Sequence, residues 1–274
     1  MSLLRESAAG FHALRTRSAP VGDISFGLTV HELGVLRVPS GLLEASDPFV
    51  NLGEAGQALV TDIPPGDYAV LLTVADTSEA QDGSEPREAY LSLVVAVGEA
   101  VTIGPALPPG VDEDALTADV YTGVPVEAGT VAFADADAVT ACMPADPGSW
   151  YSFVFDTGEP GSWFGLMDDP AHLRVGAANI VLPLATAGEN LVLAHSGWGD
   201  GYYPVVKSYA ADGTLLGVHI DLEVVGGDDG DAAVEATIVD LDAAPRLAWT
   251  SGPDAGVVSA APGLLGRLRR LFGR

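Results

Sequence analysis

The densest chemistry in the chain lies in Ser196-Gly197-Trp198-Gly199-Asp200-Gly201, followed by Tyr202-Tyr203-Pro204. Glycines on both sides of Asp200 allow backbone angles closed to other residues, so the aspartate sits at a shaped corner. Its carboxylate either reaches a cation or a ligand's donors, or closes an Asx turn on its own amides. Trp198 is read as a ligand platform or a core plug. His195-Ser196 is a poor nucleophile and base, because neighbours along a strand face opposite sides, and no Gly-x-Ser-x-Gly elbow exists. Gly197-x-Gly199-x-Gly201 precedes a strand, whereas a dinucleotide fingerprint opens a helix. His31, His172 and His219 lack paired metal spacing, and His31-Glu32 has no second histidine at the zincin position. Asp135-Ala136-Asp137 and Asp228-Asp229-Gly230-Asp231 lack the bidentate glutamate of a calcium loop. The single cysteine, Cys142, excludes an intramolecular disulfide and a cysteine-based zinc site, and is expected to be an inert, half-buried thiol.

The elements that must position these residues read mainly as β-strands. Asp23 to Val38 reads as strand, turn, strand, and Tyr68 to Ala75 with Glu88 to Val97 as a hairpin closed by a long polar loop. Gly129 to Phe133, Trp150 to Phe155, Asn179 to Leu184, Asn190 to Ala194, Tyr202 to Tyr209, Leu215 to Val225 and Ala232 to Asp240 follow as strands, with Asp212-Gly213 a hairpin turn. Leu3 to Leu14 reads as a short helix, Asp112 to Asp119 as one or two helical turns, and Gly104 to Gly110 as a proline-rich connector. The expectation is a mainly β fold, all-β or β-rich α+β: a sandwich or an open, curled barrel of antiparallel strands. It divides into an N-terminal helical segment (1–19), one β-rich domain (20–250), a flexible linker (251–262) and a basic amphipathic helix (263–274). A Gly/Asp corner before a Tyr-led strand occurs twice, at Pro65-Gly66-Asp67-Tyr68-Ala69-Val70 and at Asp200-Gly201-Tyr202-Tyr203-Pro204-Val205, a weak internal echo.

Several short motifs give the chain a family likeness over roughly residues 40–225. They are Ser40-Gly41 with Asp47-Pro48, Ile63-Pro64-Pro65-Gly66-Asp67-Tyr68, Glu127-Ala128-Gly129-Thr130 with Phe133-Ala134-Asp135, and Ser196 to Gly201 with Tyr203-Pro204, then Asp212-Gly213 and Asp221. In their order and spacing the chain resembles the bacterial DUF4241 family, a domain of unknown function. The family usually has aspartate where Glu127 stands, and an aspartate-phenylalanine pair at Asp221-Leu222. The resemblance implies candidate positions and no mechanism: Asp47, Glu127, Asp135 and Asp200, with Trp198 and Tyr203 beside them. No cofactor is expected; if those carboxylates converge, a small-ligand site or a hydrolytic centre follows, and a divalent cation could join it.

Twelve basic residues against 38 acidic ones give a net charge of −26, which repels nucleic acid and anionic membrane from the body of the chain. Four of the twelve, Arg267, Arg269, Arg270 and Arg274, fall in the last eight residues. Wound as a helix, Leu264, Leu265, Leu268, Leu271 and Phe272 share an arc of about 120° with all four arginines outside it. Such a stripe is marginal alone in water and needs a surface: a protein partner, an anionic membrane or the acidic body itself. No window has the roughly 18 apolar residues of a membrane span, and no secretory signal is legible, so a cytoplasmic protein is expected. The function expected from sequence is a non-enzymatic interaction module docked through the tail, with the carboxylate enzyme as its competitor.

Overall fold

The computed structural model describes residues 4–113, 116 and 120–226, with residues 237–238 as backbone. The linker, the tail stripe, Asp228 to Asp231 and most of Asp112 to Asp119 lie outside the described residues. Sixteen strands are described: β1 Glu6–Ser7, β2 Ser18–Val21, β3 Ile24–Val38, β4 Leu42–Ser46, β5 Leu59–Asp62, β6 Gly66–Asp76, β7 Pro86–Val94, β8 Thr102–Pro105, β9 Val120–Tyr121, β10 Gly123–Val126, β11 Thr130–Asp135, β12 Ala177–Val181, β13 Asn190–His195, β14 Gly201–Tyr209, β15 Leu215–Asp221 and β16 Thr237–Ile238. The first sheet runs β1-β8-β14-β15-β7-β6-β3-β2 with β10 added on β14. The second runs β12-β13-β11-β4-β5, and both are antiparallel and curl into a half-barrel. A short parallel pair joins β9 and β16.

The strands of the second sheet are apolar on both faces because two cores use them. Val131 and Phe133 of β11 and Val192 and Ala194 of β13 point into the core between the sheets. Ala132, Ala134, Leu191 and Leu193 point the other way, beneath a helical layer. The period of two thus supplies both cores from one sequence run. The helical layer comprises α1 (Ala136–Cys142), a 3-10 turn (Pro147–Ser149), a π-helical turn (Tyr151–Phe155) and α2 (Trp163–Asp168). The alanines of β11 leave room for its aromatic filling, in which Phe155 lies 5.0 Å from Trp163 and 5.1 Å from Phe49 between ring centres.

Four segments depart from the sequence expectation. Trp150 to Phe155 is helical rather than strand: Phe155 packs on the Trp163 and Phe49 rings, Trp150 on Phe155 and Tyr151 on Phe164, and the Trp150 indole N–H donates to the Pro144 carbonyl at 2.7 Å. Asp23 to Val38 has no internal turn: β3 is one strand of 15 residues with a bulge at Gly34, whose φ of +93° suits glycine. The bulge displaces backbone groups from the ladder, and the second sheet takes them up. Asn179 Nδ2 donates to the Leu33 carbonyl at 3.0 Å, Asn190 Nδ2 to the Val35 carbonyl at 2.8 Å, and Asn190 Oδ1 accepts from the Arg37 N–H at 3.1 Å. The N-terminal segment is helical only over a 3-10 turn, Ala8–Gly10, ended where Phe11 turns inward against Tyr90 and His219. Thr102–Pro105 pairs with β14, its proline standing at the last position, where the missing N–H costs least.

The internal echo has a shared geometry, in the register that pairs Gly66 with Gly201 and Tyr68 with Tyr203. Tyr68 donates its hydroxyl to the Pro64 carbonyl, and Tyr203 donates to the Gly199 carbonyl at 2.9 Å, each four residues back. Gly66 and Gly201 lie two residues before these tyrosines, and each ring covers the place where a Cβ would stand. Both are tyrosine corners that pin the entry to a long strand.

Candidate functional site

Asp47 follows β4 and is fully buried. Its Oδ2 accepts the backbone N–H groups of Glu127 (2.9 Å) and Ala128 (2.7 Å), and its Oδ1 accepts the Thr130 hydroxyl (2.8 Å) and the Phe49 N–H (3.3 Å). Burial pushes its pKa up, and these four donors pull it back. All four partners are donors, so only the ionised carboxylate accepts from every one without turning an O–H toward an N–H. Glu127 lends Asp47 its amide while its own side chain is exposed. On the far side of the same loop, Gly129 packs 3.7 Å, counted from an added Cβ, from Gly199 and accepts the Ser196 N–H at 3.0 Å. Three of the sequence motifs therefore meet, around Asp47, Glu127 to Thr130 and Ser196 to Gly201, and they meet through backbone.

Asp135 belongs to a second junction. It caps α1 by accepting the Ala138 N–H at 2.9 Å on Oδ1, while Oδ2 takes the Ser40 N–H (2.9 Å) and hydroxyl (2.7 Å). Gly41, next along and with φ of +77°, accepts the Ile63 N–H and lies against Pro65. Thr130 and Asp135 are the two ends of β11, about 16 Å apart at the rise of an extended strand, so Asp47 and Asp135 anchor opposite ends of it. Among the described residues no group of three or more His, Cys, Asp or Glu side chains is placed to hold a metal ion. Cys142 is buried on α1, and burial pushes its thiol pKa up.

The corner itself is locked from within. Ser196 and Tyr203 both donate to the Gly199 carbonyl, at 2.6 and 2.9 Å, and Arg87 donates to the Gly197 carbonyl at 3.3 Å. Tyr203 is buried, whereas Asp200 is exposed and Trp198 is 56% exposed. The Arg87 guanidinium lies 5.2 Å from the Trp198 ring centre, covering one side of the indole. A Cβ on Gly197 would stand 2.4 Å from the Glu88 carbonyl at a φ of +70°. Gly197→Ala should therefore cost about 2–4 kcal/mol, measured as a lowered denaturant midpoint, through a backbone clash added to left-handed strain.

Two further clusters have no local sequence signal, because strand pairing assembles them. His219 is enclosed between Ser208 and Ser92, with both ring nitrogens 2.9 Å from a serine hydroxyl, and burial lowers its pKa to about 3. Beyond β15, Asp221 Oδ1 accepts the Glu223 N–H at 2.9 Å, and Glu223 has a φ of +55°. The Glu223 carboxylate lies 3.4 Å from the Tyr121 hydroxyl, whose ring is 5.5 Å from that of Tyr202. Burial, then the like charge of Glu223, pushes Asp221 up to about 7.

No helix among the described residues is long and apolar enough to cross a membrane. No curated protein and no solved structure matches the chain. Residues 36–220 match a family described as "Protein of unknown function (DUF4241)", and the motifs that join at both ends of β11 lie inside that span: the chain belongs to the DUF4241 family.

Proposed function

We propose that the protein is a non-enzymatic interaction module whose recognition tip is the Trp198 corner, with residues 263–274 as a second docking element for a protein partner or an anionic membrane. The exposure of Trp198 carries this reading. The carbonyls of its corner are occupied by Ser196, Tyr203 and Arg87, and what remains outward is an indole face, with Asp200 exposed two residues further on. A preorganised, exposed tryptophan flanked by arginine has the composition of a binding hot spot. The competing reading, an enzyme acting through clustered carboxylates and a divalent cation, gains little from Asp47 and Asp135, whose oxygens serve protein donors.

The test is co-purification from native lysate, membrane fractions retained, with full-length protein, Trp198→Ala and a chain ending at Pro262. Trp198→Ala should melt like the wild type, within about 0.5–1 kcal/mol, because the side chain is mostly solvated. A species held by the full chain and lost specifically from Trp198→Ala is the expected result. Equal recovery with both would overturn the corner as the recognition tip.

A further inference from the structure

On the helical layer, Phe153, Val154, Trp163, Ile180, Val181 and Pro183 line an open groove of about 270 Å³. Phe153 is 76% and Val181 62% exposed, and Leu184, close to them in the chain, is 55% exposed, so large apolar side chains stand in solvent at this groove. The volume falls below the range of about 300–1,000 Å³ usual for small-molecule pockets, and suits one or two side chains projecting from a helix. The segment that supplies its lining also carries exposed carboxylates: Asp156 and Glu159 next to lining residues in the chain, and Asp168 and Asp169 at the end of α2. The one basic residue of that stretch, Arg174, turns away to Glu88 at 3.4 Å.

A groove with exposed apolar side chains in an acidic stretch is the complement of an apolar stripe flanked by arginines. This chain contains such a stripe: Leu264, Leu265, Leu268, Leu271 and Phe272, with Arg267, Arg269, Arg270 and Arg274 outside the arc. Residues 239–262 separate it from β16, enough to span roughly 80 Å at about 3.3 Å per extended residue, so reach does not limit the contact. We propose that this groove is the seat of the chain's own residues 263–274, one or two side chains of the leucine stripe entering it and the arginines facing the acidic stretch that holds Asp156 and Glu159. The local concentration set by the tether favours the chain's own stripe over one in free solution. Resting on the docking role proposed above, the seat makes the tail available to a partner or membrane only in competition with its own body.

Limited trypsin digestion of the full chain reads this directly, because Arg267, Arg269 and Arg270 are themselves the cleavage points. Val181→Asp and Phe153→Asp alter exposed side chains, so each should keep the wild-type circular dichroism and melting curve; two variants guard against one failing to fold. Cleavage at the three arginines should be at least about tenfold faster in both than in the wild type, and hydrogen exchange across residues 151–163 should rise in Leu268→Asp. Unchanged cleavage in the folded groove variants overturns the seat. So does protection that grows with protein concentration, which would assign the stripe to a second copy, or protection that appears only with phosphatidylserine vesicles, which would assign it to a membrane. None of these readouts depends on Trp198, so failure of the seat and failure of the recognition tip are separable.

Discussion

Asp47→Ala is expected to lower the free energy of unfolding by about 3–5 kcal/mol at pH 7, the largest effect of any single side chain in the two junctions. The alanine removes one buried acceptor group and leaves two amides of the Glu127 to Thr130 loop, the Phe49 amide and the Thr130 hydroxyl without it. Unsatisfied buried donors cost about 1–3 kcal/mol each, moderated here by the loop's freedom to move toward water, and breaking a buried charge's contacts costs about 3–5 kcal/mol. Asp47→Asn restores little, because its NH₂ must face either the Glu127 and Ala128 amides or the Thr130 hydroxyl and Phe49 amide. Denaturant unfolding with an unchanged slope checks both substitutions. A loss below about 1 kcal/mol would mean that the carboxylate is not committed to the fold and is free to serve a ligand. The loop held by Asp47 also carries Gly129, against which Gly199 packs, so the same substitution should loosen the Trp198 corner and weaken whatever it captures.

That dual consequence explains what sequence could and could not supply. Turn glycines, tyrosines at strand entries and alternating apolar runs are local, so the β framework is legible, and the separated motifs do identify the segments that meet. The expectation that their acids share one site fails for a geometric reason. Asp47 and Asp135 sit at the two ends of one strand, and Glu127 contributes its amide while its carboxylate stays exposed. Trp150 to Phe155 misleads because an alternation of aromatic and small residues serves a π-helical turn packed on Phe49 and Trp163 as well as it would a strand edge. Arg87, Glu88 and Val224 complete the corner from distant segments, and His219 gains its two serines only through the pairing of β7, β15 and β14. Such groupings follow from strand order, which no window of the sequence contains.

Strand order also sets the second large effect, the pH dependence of stability. Asp221 closes β15 opposite Tyr90, and its folded pKa of about 7 stands above the ordinary carboxylate value of 3.8. Between those values the folded chain holds a proton that the unfolded chain has released. The stability from this group is therefore complete below about pH 4 and is lost as pH rises through about 7. Three pKa units correspond to about 4 kcal/mol, an upper limit that partial exposure of the side chain and the Glu223 amide reduce to about 1–3 kcal/mol. Asp221→Asn keeps an acceptor for that amide and carries no charge, so it should stabilise the protein by about 1–3 kcal/mol at pH 8 and by little at pH 4. His219 works in the opposite sense. Its pKa falls from 6.5 to about 3 on folding, so its contribution is complete above about pH 6.5 and is lost as pH falls toward 3. The two slopes oppose each other between pH 4 and 6.5 in the wild type, and Asp221→Asn removes the falling one, so the variant should gain on the wild type from about pH 4 to 7 and keep a constant lead above that. Unfolding curves of the two proteins collected at half-unit steps would decide this, and parallel pH profiles would rule out Asp221 as a proton-holding group of the folded state.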